Sequence, residues 1–202
     1  IGVLPYEQLD PDPTILQARL KVMAALSGFN TVHKDSPFIV VTSGHAIAVK
    51  IMPLANFNSA HLSLQSGADV KLDGLIEKCV NLGYEVFPVT DVPGQISKRG
   101  GIVDIFSPQN EFPARLEFMG DRIESIRWFD PITQRSTEII ECLSVILARH
   151  MLITSAQERN APLSKLDLSS CDQQAADKIR QDLELLHSQQ WREGFHYYAP
   201  LV

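Results

Sequence analysis

Ala114-Arg115-Leu116-Glu117-Phe118-Met119-Gly120-Asp121-Arg122-Ile123-Glu124-Ser125-Ile126-Arg127-Trp128-Phe129 is two alternating runs joined by Gly-Asp. Alternation of apolar and polar residues marks half-buried strands, and Gly120-Asp121 is a two-residue hairpin connection. The turn puts Met119 opposite Arg122, which fixes the side chains that share a face. Leu116, Phe118 and Ile123 then point into a core. Arg115, Glu117, Met119, Arg122, Glu124, Ile126 and Trp128 share the other face, with Ile126 and Trp128 either exposed there or covered by a helix over 72–82. Ser125 and Arg127 fall on the nominal core face, which requires a bulge or a polar contact.

Outward from this hairpin the pattern stays β-rich. Strands are expected over 95–99, 102–106 and 136–147, with turns at 107–111 and 130–134. Upstream, the spacing predicts an amphipathic helix over 72–82 ended by a left-handed Gly83, then a strand over 84–90 and a turn at Pro93-Gly94. A weaker strand is expected over 61–65. Nearer the start, Asp12-Pro13-Thr14 offers a helix N-terminus with apolar residues following at helical spacing up to Gly28. The β-branched run 38–42 has the composition of a strand buried on both faces of a parallel sheet, and Ser43 caps the helix after it. A polar linker over 154–170, a helix over 172–190 and an aromatic-rich end complete the chain. The fold class is α/β, with a small domain built on a mainly antiparallel sheet.

The 202 residues carry a net charge of −6 and 45% hydrophobic residues, enough for a substantial core. Charge is balanced over 1–60 and, with six of each sign, over 95–135; it is −3 over both 61–94 and 136–202. With no basic segment to displace counterions from phosphates, the chain should bind DNA poorly. No apolar run reaches the about 18 residues that would span a bilayer, so no membrane partner is expected and the location expected is the cytoplasm. Starting at Ile1 rather than Met, the chain reads as a piece of something longer. Cys79, Cys142 and Cys171 lack metal-knuckle spacing and read as reduced thiols.

Catalytic motifs are lacking. There is no phosphate loop and no Gly-x-Gly-x-x-Gly turn, and the six histidines show no i, i+4 pair. Ser43-Gly44-His45 lacks the second glycine of a nucleophile elbow and reads as a helix cap. Asp104, Glu117, Asp121, Glu124 and Asp130 form a loose run of carboxylates, read as partners of the six local cations rather than an acid-base or metal cluster. No catalytic residue, cofactor or metal is therefore expected in this chain. Arg, Trp and Met sharing one strand face are residue types enriched at protein interfaces.

Pro93-Gly94-Gln95-Ile96-Ser97-Lys98-Arg99-Gly100-Gly101-Ile102-Val103-Asp104-Ile105-Phe106 resembles the Pro-Gly-Glu-Phe-x-x-Arg-Gly-Gly-x-x-Asp-Ile-Phe stretch shared by UvrB and the Mfd-type transcription-repair coupling factors. The likeness continues through Arg115-Leu116-Glu117-Phe118, Gly120 to Arg127, and Phe129-Asp130 to Thr133-Gln134-Arg135-Ser136. That ending, with Leu4-Pro5-Tyr6-Glu7, Arg19-Leu20 and Tyr197-Tyr198-Ala199-Pro200-Leu201, is closer to the coupling factors than to UvrB. The tyrosine-rich DNA-gripping hairpin of UvrB has no counterpart.

The resemblance implies a degenerate helicase-like first domain, 1–56, interrupted by a UvrA-binding α/β domain over 57–148, with 149–202 returning to the first domain. It implies that Arg99 and Arg115 contact UvrA, with Met119 where relatives carry an aromatic residue, and Glu117 and Arg122 beside them. It further implies that ATP, magnesium, RNA polymerase and DNA are handled by other domains of a translocase parent, whose C-terminal domain masks this surface. The readings weighed against docking are a DNA- or nucleotide-handling helicase-like fragment, a UvrB-type excision component and a structural spacer. ATP turnover or salt-sensitive DNA binding by the isolated chain would mark the first of these.

Overall fold

Pro13 holds the first position of α1 (Pro13–Leu26), where a missing N–H removes no helix bond, and Gly28 at φ +75° follows the end. Leu20, Met23 and Ala24 form its buried stripe. The computed structural model describes residues 13–28, 39–48, 51–149 and 166–187. These fall into two compact units, one made of 14–28, 39–40 and 54–149, the other including 41–48, 51–53 and 166–187.

The larger unit contains α3 (Leu54–Ser59), β1 (His61–Gln65), α4 (Leu72–Asn81), β2 (Glu85–Val86), β3 (Gln95–Arg99), β4 (Ile102–Ile105), β5 (Ala114–Met119), β6 (Arg122–Phe129), β7 (Ser136–Ile140) and β8 (Cys142–Ile146). Strands β2 to β7 form one six-stranded sheet in sequence order, antiparallel except for the parallel β2–β3 pair. Strands β1 and β8 pair separately. The architecture is thus mixed α/β with antiparallel pairing dominant, as the alternation indicated.

One face of the large sheet is a ladder of fully buried aliphatics. Ile96 stands opposite Ile105, Ile105 opposite Ala114, Val103 opposite Leu116, and Leu116 opposite Ile126. Lys98, on that side of β3, forms an ion pair with Asp73 in the first turn of α4. Leu75 and Cys79 of α4 are buried, and burial pushes the Cys79 thiol up to about 12, as suits an inert structural cysteine. Gly83 adopts φ +89° after the helix, the left-handed end its position suggested.

Three expectations need correction. The strand over 136–147 is broken at Glu141, so that β7 ends the large sheet while β8 turns to β1; Glu141 and Ser66 are joined by a backbone bond. The strand over 84–90 shrinks to two residues, because Pro88 and the turn after it end the pairing. Of the run 38–42, residue 38 lies outside the described residues and 39–42 is not a strand: Ile39 is 91% exposed, and no strand pairs with it among the described residues. A β-branched run becomes a buried strand only when neighbours supply both edges and both faces. Helix α3 carried no clear periodic signal; fully buried Phe57 anchors it.

In the smaller unit, Ser43 Oγ accepts from Ala46 N–H and caps α2 (Gly44–Ala48), and Asp172 Oδ1 accepts from Ala175 N–H ahead of α5 (Gln173–His187). The linker over 154–165 and the aromatic-rich end lie outside the described residues, as do 1–12. Among the described residues no helix is long and apolar enough to cross a membrane.

Candidate functional site

The hairpin forms with Met119 opposite Arg122 and Gly120 at φ +62°, but its register changes partway along. Glu117 faces Ser125 while Phe118 faces Ile123, leaving Glu124 as the extra residue of a bulge. The loop leaving β1 accounts for it. Ser66 Oγ donates to the Glu124 carbonyl, Gly67 N–H to the Ile123 carbonyl, and Ile123 N–H to the Ala68 carbonyl. Backbone groups that would have met β7 are used there instead, and β7 pairing starts at Ile126.

This slip corrects the face assignment made from simple alternation. Ile126 is fully buried on the core face, half-buried Trp128 stands opposite Ala114 on that side, and Glu124 is the exposed bulge residue. Ser125 and Arg127 move to the face of Arg115 and Glu117. Of the two remedies their polarity called for, a bulge or a polar contact, the bulge is present.

The other face of the sheet therefore assembles Arg99 from β3, Asp104 from β4, Arg115, Glu117 and Met119 from β5, and Arg122, Ser125, Arg127 and Phe129 from β6. Its centre is Asp104, whose side chain has 0% exposure. Oδ1 of Asp104 accepts from Arg115 Nε at 2.7 Å; Oδ2 accepts from Arg115 Nη2 at 2.9 Å and from Arg99 Nη2 at 2.7 Å. The Arg115 fork engages the carboxylate in the bidentate geometry that makes such pairs strong.

Arg115 is also held from behind. Its Nη1 donates to the Gln134 carbonyl at 3.1 Å, and its guanidinium lies 4.5 Å from the centroid of buried Phe129. Its pKa is raised, first by the Asp104 hydrogen bond, against the opposing effect of burial. Only 13% of its side chain is exposed, against 47% for Arg99. Gln134 reaches its position at φ +59°, in a turn where Asp130 Oδ1 accepts from the N–H groups of Ile132 and Thr133. Those bonds hold the Asp130 carboxyl below the usual carboxylate range.

Glu117 accepts from Ser125 Oγ at 2.7 Å and stands 3.8 Å from Arg127 Nη2. Met119 is 65% exposed, about 13 Å from Arg115 by strand rise. Arg122 is exposed across the turn from Met119. Arg99 and Arg115 thus meet on one carboxylate, while Met119 and Arg122 stand apart at the hairpin tip. One contributor was missed in the sequence: Arg127 was assigned to the wrong face by the unseen bulge. Asp104 is paired with local cations, as the run of carboxylates was read, but its burial had no signal in the sequence. Among the described residues no group of three or more His, Cys, Asp or Glu could hold a metal.

The double glycine also has a structural reason. Gly100 adopts φ +61°, and a Cβ on Gly101 would lie 2.9 Å from the Phe118 carbonyl oxygen of the adjacent strand. Since Phe118 N–H donates to the Gly101 carbonyl at 2.7 Å, neither strand can yield without stretching the ladder. Gly101→Ala is expected to cost about 1–3 kcal/mol of unfolding free energy. Urea denaturation measures it, and an unchanged midpoint would contradict the close approach.

Residues 62–151 match the family model of the UvrB interaction domain. The chain is also 33% identical over 193 residues to a transcription-repair-coupling factor of Myxococcus xanthus, covering 95% of this chain and 15% of that protein. It is 31% identical over 179 residues to that of Bacillus subtilis, covering 87% of this chain and 14% of the relative. For a Staphylococcus aureus relative of the same name the figures are 33% over 152 residues, 75% and 12%. The segment 62–151 therefore matches the UvrB interaction domain, within a chain similar over most of its length to one segment, about 15%, of the transcription-repair-coupling factors.

Proposed function

We propose that this chain is a protein-docking module that recruits UvrA in transcription-coupled nucleotide excision repair. The observation that carries the reading is the pair of guanidiniums, Arg99 and Arg115, gathered on one buried carboxylate inside the UvrB interaction domain. Cations already fixed in place lose little freedom on meeting an acidic partner, so more of each charge-assisted bond appears as affinity. Met119 adds exposed apolar area along the same strand, suited to a pocket without demanding ring geometry. Glu117 and Arg122 flank it.

In this reading 57–148 is the docking domain, while 1–56 and 149–202 belong to a degenerate helicase-like domain that it interrupts. The parent is a cytoplasmic, ATP-dependent DNA translocase that displaces stalled RNA polymerase. ATP, magnesium, polymerase and DNA engage its other domains, and its C-terminal domain covers the docking face until polymerase is engaged. This chain has no catalytic role of its own, a view supported by its lack of a phosphate loop and its acidic balance.

Calorimetry of the 202-residue chain with purified UvrA at moderate salt tests the reading. Binding is expected, and the Arg99→Ala, Arg115→Ala double variant should weaken it by at least about tenfold, the loss of one charge-assisted bond or more. Undiminished affinity in a folded double variant would remove the site. ATP hydrolysis by the isolated chain would favour the enzyme reading instead.

A further inference from the structure

We propose that Asp104 is the positioning residue of this face: its buried carboxylate fixes both guanidiniums, and Arg99 is the one it presents to an acidic side chain of the partner. The inference rests on the docking reading above and assigns the two arginines different roles within it. With no exposed side-chain surface, Asp104 cannot itself touch a docked protein.

The bonding around Asp104 separates the arginines. Arg115 uses a donor on each of its three nitrogens, two toward Asp104 and one toward Gln134, and rests over Phe129. The Gln134 carbonyl is held there by the side chain of the same residue, whose Nε2 donates to the carbonyls of Thr90 and Pro131. Thr90 Oγ1 in turn donates to the backbone carbonyl of Asp104. Carboxylate, turn and loop therefore brace one another around Arg115. Among the described residues Arg99 makes its side-chain bond through Nη2 alone, and it is half-exposed, so most of its five N–H donors are open to a partner.

Charge explains why a third group is needed. Two guanidiniums sharing one oxygen repel each other, and a carboxylate between them leaves a compact site of net +1 that still attracts an anion. Without it no side-chain bond among the described residues fixes the direction of Arg99. A carboxylate of the partner would then have to order a free side chain, which lowers affinity.

Two measurements test this on the full chain. The first is site-mapped labelling with an arginine-selective dicarbonyl reagent, which needs no partner. Arg99 should label and Arg115 be protected in the wild type, whereas in Asp104→Asn Arg99 should label faster while Gln134 and Phe129 keep Arg115 the slower of the two. The second is a double-mutant cycle against UvrA. Arg99→Ala should cost about tenfold in the wild-type background but less than about twofold once Asp104 is Asn, a coupling that independent sites do not show. A merely structural Asp104 would lower the melting temperature and leave the cost of Arg99→Ala unchanged.

Should Asp104→Asn fail to fold, the Asp104→Asn, Arg115→Gln variant replaces the buried ions by amides and serves as the second background. Faster labelling of Arg99 and a cost of Arg99→Ala below about twofold are expected there too. Unchanged labelling of Arg99 in folded Asp104→Asn, or an undiminished cost of Arg99→Ala in either background, would overturn the assignment. A wild-type chain that does not bind UvrA would sink the docking reading, and labelling then decides the role of Asp104 by itself.

Discussion

Replacing Asp104 by leucine is expected to lower the unfolding free energy by about 3–5 kcal/mol, the typical cost of leaving one partner of a buried ion pair uncompensated. Asp104 is fully buried and only 13% of the Arg115 side chain is exposed, so water restores little of the lost bonding. The remaining bond to Gln134 and the ring of Phe129 moderate the loss without cancelling a buried charge. Replacing both members, Asp104→Leu with Arg115→Leu, should recover most of it, since apolar groups of similar volume often substitute for buried pairs without penalty. Urea denaturation of the two variants gives both numbers. A single-variant loss below about 1 kcal/mol would mean that Arg115 finds another partner or swings into solvent, and the proposed brace would not hold.

Phe129→Ala should be comparably damaging, at about 3–5 kcal/mol for truncating a fully buried aromatic ring. Phe129 lies on the Arg115 side of β6, among Ser125 and Arg127 of the same strand, and its N–H donates to the Pro113 carbonyl. Losing the ring opens a cavity beneath the guanidinium and removes its cation–π contact, about 0.5–2 kcal/mol of the total. Phe129→Leu separates these effects, because it keeps most of the buried volume and loses only the ring face. Thermal and urea unfolding should rank wild type above Phe129→Leu and Phe129→Leu well above Phe129→Ala. Equal losses in the two variants would show that packing beneath Arg115 is unimportant.

Much of the sheet was legible because its signals are local. Turn residues mark the strand ends at Gly120-Asp121 and at 130–134, and alternation marks the strands themselves. Gly28 and Gly83 follow helices that end where the sequence placed their ends, Gly83 in the left-handed conformation expected of it. The run 39–42 failed for the opposite reason, since its composition describes a suitable environment and not whether strands exist to provide it. Arg99 and Arg115 were chosen through a resemblance, and nothing in their own spacing shows that they meet.

By itself, then, the sequence determined the hairpin, the antiparallel character of the sheet, two helix ends and the conflict posed by Ser125 and Arg127 on a nominal core face. Only the tertiary structure resolved that conflict. The bulge at Glu124 is held by Ser66, Gly67 and Ala68, from a loop more than fifty positions earlier, and no window along the hairpin contains those hydrogen bonds. Asp104 likewise reads as one carboxylate among several until strand pairing sets it opposite Arg115 and within reach of Arg99. Periodicity determines which side chains alternate; contacts between distant segments decide which face they occupy and which charge is buried.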